Sequence, residues 1–337
     1  MSYKTIFTAI LAASALSVGC TSPDAEDSEN VADAAEALTV ENGHQMNGTY
    51  LNGSFLNGVR YNGVRYNGVR YNGVRYNGVR YNGTALEGTL ENTSILVTDV
   101  GFAGSDLDAV LGDGSDANIH IASISTTDVP GMLAYEITAG GDNVCGSSGA
   151  KALLLPGNWN YATGGLDSQD ANYFTVACRG AAIAKCAEWG YHDLDEWSET
   201  DGSTTQHVAG TYFHEACVRM VRADYCGDGH SHTQNGTAID VYDVAGIQTP
   251  DSSMALEAEW SASGAKCVKH VRWTSAAYGD VESYIKDHCD AAWAGSDRSA
   301  ANAACGSSSS TYFTANGINA ALATRPLLRN KSDVHSN

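Results

Sequence analysis

Positive charge is scarce in this 337-residue sequence: 19 Lys and Arg stand against 39 Asp and Glu, a formal net charge of −20. Nucleic acid is not an expected partner, because its phosphates would be repelled. From Tyr81 to Ala150 there is no Lys or Arg at all. After Cys20 no apolar run reaches the roughly 20 residues that a helix needs to cross a bilayer. Membrane contact is therefore expected through lipid and not through a spanning helix. No C-x-x-C pair occurs among the cysteines, so the usual zinc signature is missing. No G-x-S-x-G elbow is present either, which leaves a serine hydrolase of that kind without its nucleophile.

What is present begins at the amino terminus. Lys4 precedes a run without charge from Thr5 to Cys20, whose apolar part, Ile6 to Val18, has the length of a signal-peptide core. The run closes in Leu16-Ser17-Val18-Gly19-Cys20. This resembles the lipobox of bacterial lipoproteins, although Leu16 lies one residue further back than that family places its leucine. The resemblance implies a diacylglycerol on Cys20 and a mature chain that starts there. From Asp24 to Glu41 seven acids occur with no base, the composition of a solvated tether.

The remaining cysteines are Cys145, Cys178, Cys186, Cys217, Cys226, Cys267, Cys289 and Cys305. Eight is an even number, and export provides the oxidising compartment in which four disulfides persist. Helical patterning over Ala181 to Trp189 and Val208 to Ala223 sets a limit on their pairing. A helix rises about 1.5 Å per residue, whereas a disulfide needs Cα atoms within about 7 Å. Cys178 should therefore not meet Cys186, nor Cys217 meet Cys226. Cys186 facing Cys217 across packed helices is one arrangement that satisfies both limits.

Val-Arg-Tyr-Asn-Gly repeats five times without change from Val59 to Gly83, with looser copies over 44–58 and 84–88. A period of five matches neither a helix nor a strand, and Asn-Gly accepts tight turns. The pattern resembles the pentapeptide-repeat family, which implies a short four-sided β-coil with the Val and Tyr residues inside. Arg60, Arg65, Arg70, Arg75 and Arg80 would then form a stripe outside, and regular cation and aromatic arrays suit glycans or other envelope polymers. The competing reading is a flexible spacer.

Beyond the repeat, short β-rich runs lie at Ser94 to Val97, Asn118 to Ile124, Met132 to Thr138, Tyr173 to Cys178 and Thr237 to Tyr242. A hairpin is expected from Leu256–Trp260 and Lys266–Trp273, and a third helix from Val281 to Trp293. Strands and helices mix without a βαβ rhythm, so the class is α+β, a disulfide-stapled domain with about three helices. Asp106, Asp108, Asp113 and Asp116 invite a calcium reading, but their spacing is not that of an EF-hand loop.

Phe174-Thr175-Val176-Ala177-Cys178-Arg179-Gly180 with Lys185-Cys186, and Ala216 to Gly229 containing Ala223-Asp224-Tyr225-Cys226, form two long blocks. With Ser231-His232-Thr233 and Ile239 to Asp243 they resemble the ADYC domain of myxobacterial-type secreted proteins and lipoproteins, over about residues 90 to 300. The resemblance implies an exported address and no particular reaction.

The catalytic candidates are His214, Asp224 and His232. His214 and Cys217 together invite a Cys/His hydrolase, but that chemistry needs a free thiolate. The candidate metal ligands are His230, His232 and Asp240, since two histidines one residue apart can hold a divalent ion with a carboxylate. Apart from such an ion no cofactor is expected. Trp159, Trp189, Trp197, Trp260, Trp273 and Trp293 belong mostly to the core, with a sugar-stacking platform as the alternative.

The chain thus divides into a lipoprotein signal at 1–20, an acidic tether at 21–43, repeats at 44–88, an ADYC-like domain at 89–306 and a tail at 307–337. The leading expectation is a non-enzymatic lipoprotein of the bacterial envelope, at the outer membrane or cell surface, with a structural or ligand-binding head. The alternative is a secreted hydrolase or metal-dependent enzyme that uses the His214–His232 region.

Overall fold

The computed structural model describes residues 39–42, 59–61, 69–71, 74–81, 85–90, 96–110, 116–159, 165–168, 173–192, 196–201, 204–250, 253–289 and 326–336. The signal segment with Cys20, most of the tether and Cys305 lie outside them.

Valine, isoleucine and tyrosine fit a pleated, half-buried surface, and the runs rich in them build a large antiparallel sheet of 11 strands. Its centre is Ser105–Val110, Asp116–Thr126, Leu133–Ala139, Ala152–Pro156 and Tyr173–Cys178. Ile121 stands opposite Ile137 and Leu154 opposite Val176. With Phe102, Tyr135 and Phe174 these side chains form one buried cluster.

The described repeat stretches, Val59–Tyr61, Val69–Tyr71 and Val74–Tyr81, enter the same sheet. They pair antiparallel, Val59 opposite Phe174, Arg60 opposite Val110 and Arg70 opposite Asp106. These stretches are extended strands, and the rest of the coil expected for 44–88 lies outside the described residues. The Asn-Gly steps are not all corners: Val74–Tyr81 runs straight through Asn77-Gly78, with a register shift between Asn77 and Arg80. A glycine within a strand commonly marks such a bulge. Nine units are also few for a self-supporting solenoid, while neighbouring strands offer immediate backbone pairing.

A second sheet has five strands in the order Thr39–Asn42, Thr237–Asp243, Leu328–Ser332, Ala255–Ser261 and Gly264–Val268. Its outermost and central strands come from segments assigned in sequence to the tether and the tail. The tail assignment needs correction, because Leu327, Leu328, Arg329, Asn330 and Ser332 are all buried. Three of them are polar: Arg329 Nη2 meets Glu259 Oε1 at 2.6 Å, Asn330 Oδ1 accepts from Trp260 Nε1 at 2.7 Å, and Ser332 Oγ lies 3.1 Å from His270 Nε2.

Of three α-helices among the described residues, α1 (Ala182–Cys186), α2 (Gly210–Arg222) and α3 (Val281–His288), α2 lies over this sheet and α1 packs on α2 and on Tyr173–Cys178 of the large sheet. In α2 the apolar stripe Phe213, Ala216, Cys217, Met220 and Val221 packs with Ile183 of α1, Ile239, Val241, Trp260 and Leu328 of the sheet, and Ile285 of α3. Burial of each large apolar side chain contributes about 2 kcal/mol. Asp280 caps α3 by accepting from Ser283 N at 2.8 Å. The helix stops at His288, short of the expected Trp293, because Cys289 turns out of helical geometry (φ −130°) and bonds to Cys226.

The disulfides are Cys145–Cys178, Cys186–Cys217 and Cys226–Cys289, with Cα separations of 5.5, 5.8 and 5.0 Å. Cys267 is bonded as well, to a partner outside the described residues. No bond joins Cys178 to Cys186 or Cys217 to Cys226, and Cys186 pairs with Cys217. Among the described residues no helix is long and apolar enough to cross a membrane.

Candidate functional site

The residues that end α2 each do a structural job. Ala223 adopts the left-handed conformation (φ 51°) that closes the helix, its N–H donating to Met220 O at 3.0 Å. Asp224 is fully buried beneath the turn that follows. Its Oδ2 accepts from Arg219 Nη1 at 2.5 Å and Gly229 N at 3.0 Å, and its Oδ1 from Asp228 N at 3.1 Å. Burial raises its pKa, an effect that Arg219 and Arg222 oppose. Cys226 carries the bond to α3. Gly227 has φ 70°, and a Cβ there would lie 2.2 Å from Ser263 O, so no side chain fits.

Tyr225 reaches into the core. Its hydroxyl donates to Glu257 Oε1 at 2.8 Å and accepts from Arg272 N at 3.3 Å. Arg272 forks onto Glu257, with Nε 2.9 Å from Oε1 and 3.0 Å from Oε2, and gives Nη2 to Met220 O at 2.9 Å. Asn330 Nδ2 completes the set on Glu257 Oε2 at 2.6 Å. Both charged side chains are sealed from solvent. Burial pushes the Glu257 carboxyl up, but the Arg272 charge and hydrogen bonds win and hold it below its ordinary value. This network locks the C-terminal end of α2 to the small sheet.

The candidates singled out in sequence fall into separate surroundings. His214 is buried, its Nε2 2.9 Å from Ile183 O and its ring 4.4 Å from that of Trp159. Burial lowers its pKa to about 4. Three residues on, Cys217 is held in a disulfide, so the thiolate that a Cys/His hydrolase needs is not available. Asp240 is buried and sits 3.3 Å from Lys331 Nζ. Asp224 and Asp240 are thus both enclosed, and among the described residues no open cleft gathers them with His232. Among the described residues no three His, Cys, Asp or Glu side chains form a group able to hold a metal ion. Trp159 and Trp260 are core residues, and Trp189 and Trp273 are partly buried.

What does come together is a face of imidazoles and phenols. The loop after Cys226 supplies Asp228, His230 and His232, the hairpin Ser275–Ala276/Gly279–Asp280 presents Tyr278 at its turn, and α3 supplies Tyr284 and His288. Tyr284 donates its hydroxyl to Asp228 Oδ2 at 2.7 Å, and His230 Nδ1 contacts both that hydroxyl and, at 3.2 Å, the same carboxylate oxygen. His230 N donates to Asp228 Oδ1 at 3.0 Å. Partial burial raises the Asp228 pKa, but these hydrogen bonds outweigh it and leave a net lowering, so the carboxylate is charged at neutral pH. Burial and the Asp228 contact both raise the Tyr284 phenol, keeping it neutral.

His288 stacks on Tyr284 with ring centroids 4.1 Å apart, and Tyr278 lies 4.3 Å from His230. Tyr278 is 49% exposed. Beneath it His232 is 1% exposed, ringed by Tyr284 at 4.5 Å, Tyr278 at 5.6 Å and Tyr225 at 6.1 Å. Neither of its ring nitrogens has a hydrogen-bond partner among the described residues. Burial brings its pKa to about 4. Tyr278, Tyr284 and His288 were not singled out in sequence, where only the Tyr284–His288 spacing of four marks a shared helical face.

A cleft of about 450 Å³ opens elsewhere, between Leu166, Tyr212, Glu215, Arg219 and Ser263. Its two charged groups are engaged, Glu215 Oε1 accepting from Leu166 N at 2.8 Å and Arg219 held by Asp224.

A family model, described as the ADYC domain, matches residues 99–274, just over half of the chain. No curated protein and no solved structure matches.

Proposed function

This chain belongs to the ADYC domain family, and from that premise we propose an exported envelope protein, anchored by lipid on Cys20, whose head binds a ligand without catalysis. The charge-free run to Cys20 and the tether of acids behind it support the address. Four disulfide-bonded pairs, three of them among the described residues, suit the same oxidising compartment.

The observation that carries the binding reading is the exposed face of Tyr278, His230 and His288 around Asp228 and Tyr284. The ADYC residues themselves, His214 and Cys217 are occupied in holding the fold. Among the described residues, the Tyr–His face gathers aromatic and polar side chains at the surface. It stands on a disulfide-tied base, and rigid aromatic side chains provide contact area at low entropic cost. The secreted hydrolase remains a second reading, favoured by one observation: a carboxylate orients the His230 imidazole as it would a general base.

Metabolic labelling with palmitate followed by membrane fractionation tests the anchor. Wild-type protein is expected in the membrane with label, and Cys20→Ala is expected unlabelled or as an uncleaved precursor. Unlabelled wild-type protein would overturn the anchor.

A further inference from the structure

We propose that Tyr278, His230 and Asp228 form a site for a neutral glycan, whose sugar ring lies on Tyr278 and whose hydroxyls donate to His230 Nε2 and the Asp228 carboxylate. The inference rests on the binding-head reading above and specifies its ligand.

Hydrogen-bond accounting fixes what the site offers. Tyr284 gives its single proton to Asp228, so the hydrogen shared between His230 and the Tyr284–Asp228 pair must come from His230 Nδ1. The neutral imidazole then carries its lone pair on Nε2. That atom has no partner among the described residues, and the side chain is 42% exposed. Asp228 keeps 33% of its side chain exposed and is an acceptor only. The face therefore presents an aromatic ring beside two acceptors, which matches the alternating C–H faces and hydroxyl donors of a pyranose.

Charge narrows the ligand further. The ionised group facing solvent in the cluster is the Asp228 carboxylate, which repels an anion. The Arg222 guanidinium is buried, with Nη2 on Gly229 O at 2.7 Å. A neutral sugar meets neither problem. His232 provides an independent indication. A buried imidazole with both nitrogens unbonded among the described residues is costly, and this one lies directly under Tyr278, with ring centroids 5.6 Å apart. The Cys226–Cys289 bond joins the loop bearing Asp228 and His230 to the end of α3, so the acceptors are held in place before a ligand arrives.

The experiment is binding of the full-length mature protein, in detergent, to an array of neutral and acidic oligosaccharides, with isolated cell envelopes as a parallel probe. Neutral oligosaccharides should be retained. Tyr278→Ala should weaken retention by about tenfold through the lost ring contact. His230→Asn should weaken it similarly while the fold is kept, since the Asn amide replaces the Nδ1 donor and deletes the Nε2 acceptor. Equal retention by both variants would overturn the assigned face and leave a binding head elsewhere. Retention of envelopes but of no neutral oligosaccharide would overturn the ligand class alone. Retention only after a divalent transition metal is added would replace the glycan site by a metal site. Failure to retain either envelopes or oligosaccharides would overturn this inference and the reading beneath it together.

Discussion

Replacing His214 by glutamine should flatten the dependence of stability on pH. The imidazole is enclosed against Trp159, and burial, with a smaller push from His192 and against the pull of the Ile183 carbonyl, lowers its pKa from 6.5 to about 4. As pH falls through 6.5 the unfolded chain takes a proton that the folded chain refuses until about 4. Stability is therefore present at neutral pH and lost between those two values. A shift of 2.5 units corresponds to about 3.4 kcal/mol at full effect, of which about 3 is lost by pH 4. Glutamine can still donate to Ile183 O but cannot titrate. Urea unfolding of the oxidised protein at pH 7 and pH 4 measures both slopes. The loss on acidification should be smaller in His214→Gln by about 3 kcal/mol, whatever the constant cost of the lost ring stacking. Buried carboxylates whose pKa is raised, such as Asp243, shift both proteins alike and cancel in the difference. Identical pH dependence in the two proteins would refute the buried, neutral His214.

Glu257→Gln should cost about 3–5 kcal/mol in thermal or urea melts, because it leaves the Arg272 guanidinium buried without its counter-charge. Peptide mapping without reduction should find Cys267 joined to Cys305. The three described pairs leave only Cys20 and Cys305 as partners, and Cys20 is the proposed lipid site; a Cys20–Cys267 peptide would contradict both assignments. Truncation after residue 325 should yield a protease-sensitive head, because Leu328–Ser332 is the strand between Thr237–Asp243 and Ala255–Ser261 and its loss removes Arg329 from Glu259 and Asn330 from Trp260. A resistant truncated head would show that the strand is dispensable.

Local patterning made much of the fold legible. The stripe of α2, the alternation in Asp116–Thr126 and the hairpin of Ala255–Ser261 with Gly264–Val268 could be read from residue spacing, and helix geometry alone pointed Cys186 toward Cys217. Leu328–Ser332 escaped because Arg329, Asn330 and Lys331 look solvated in sequence. The burial of Arg329 and Asn330 is compensated by Glu259, Glu257 and Trp260, some 70 residues away, and no local pattern carries that information. The period of the repeat was clear for the opposite reason, yet it did not carry the pairing of its described stretches with distant strands. The Tyr–His face was half legible. His230 and His232 stood out as chemistry-bearing side chains, but Tyr278 and Tyr284 beside them arrive from α3 and its hairpin, 46 to 54 residues further on in the chain.

The central claim, a head that binds envelope material without altering it, comes down to one measurement. Mature protein is incubated with isolated, delipidated envelopes, and retention is followed together with the release of new reducing ends and soluble fragments. Saturable retention without any release over many hours is the predicted result. Release of fragments that scales with protein and is abolished in His230→Asn would contradict it and establish the hydrolase in its place.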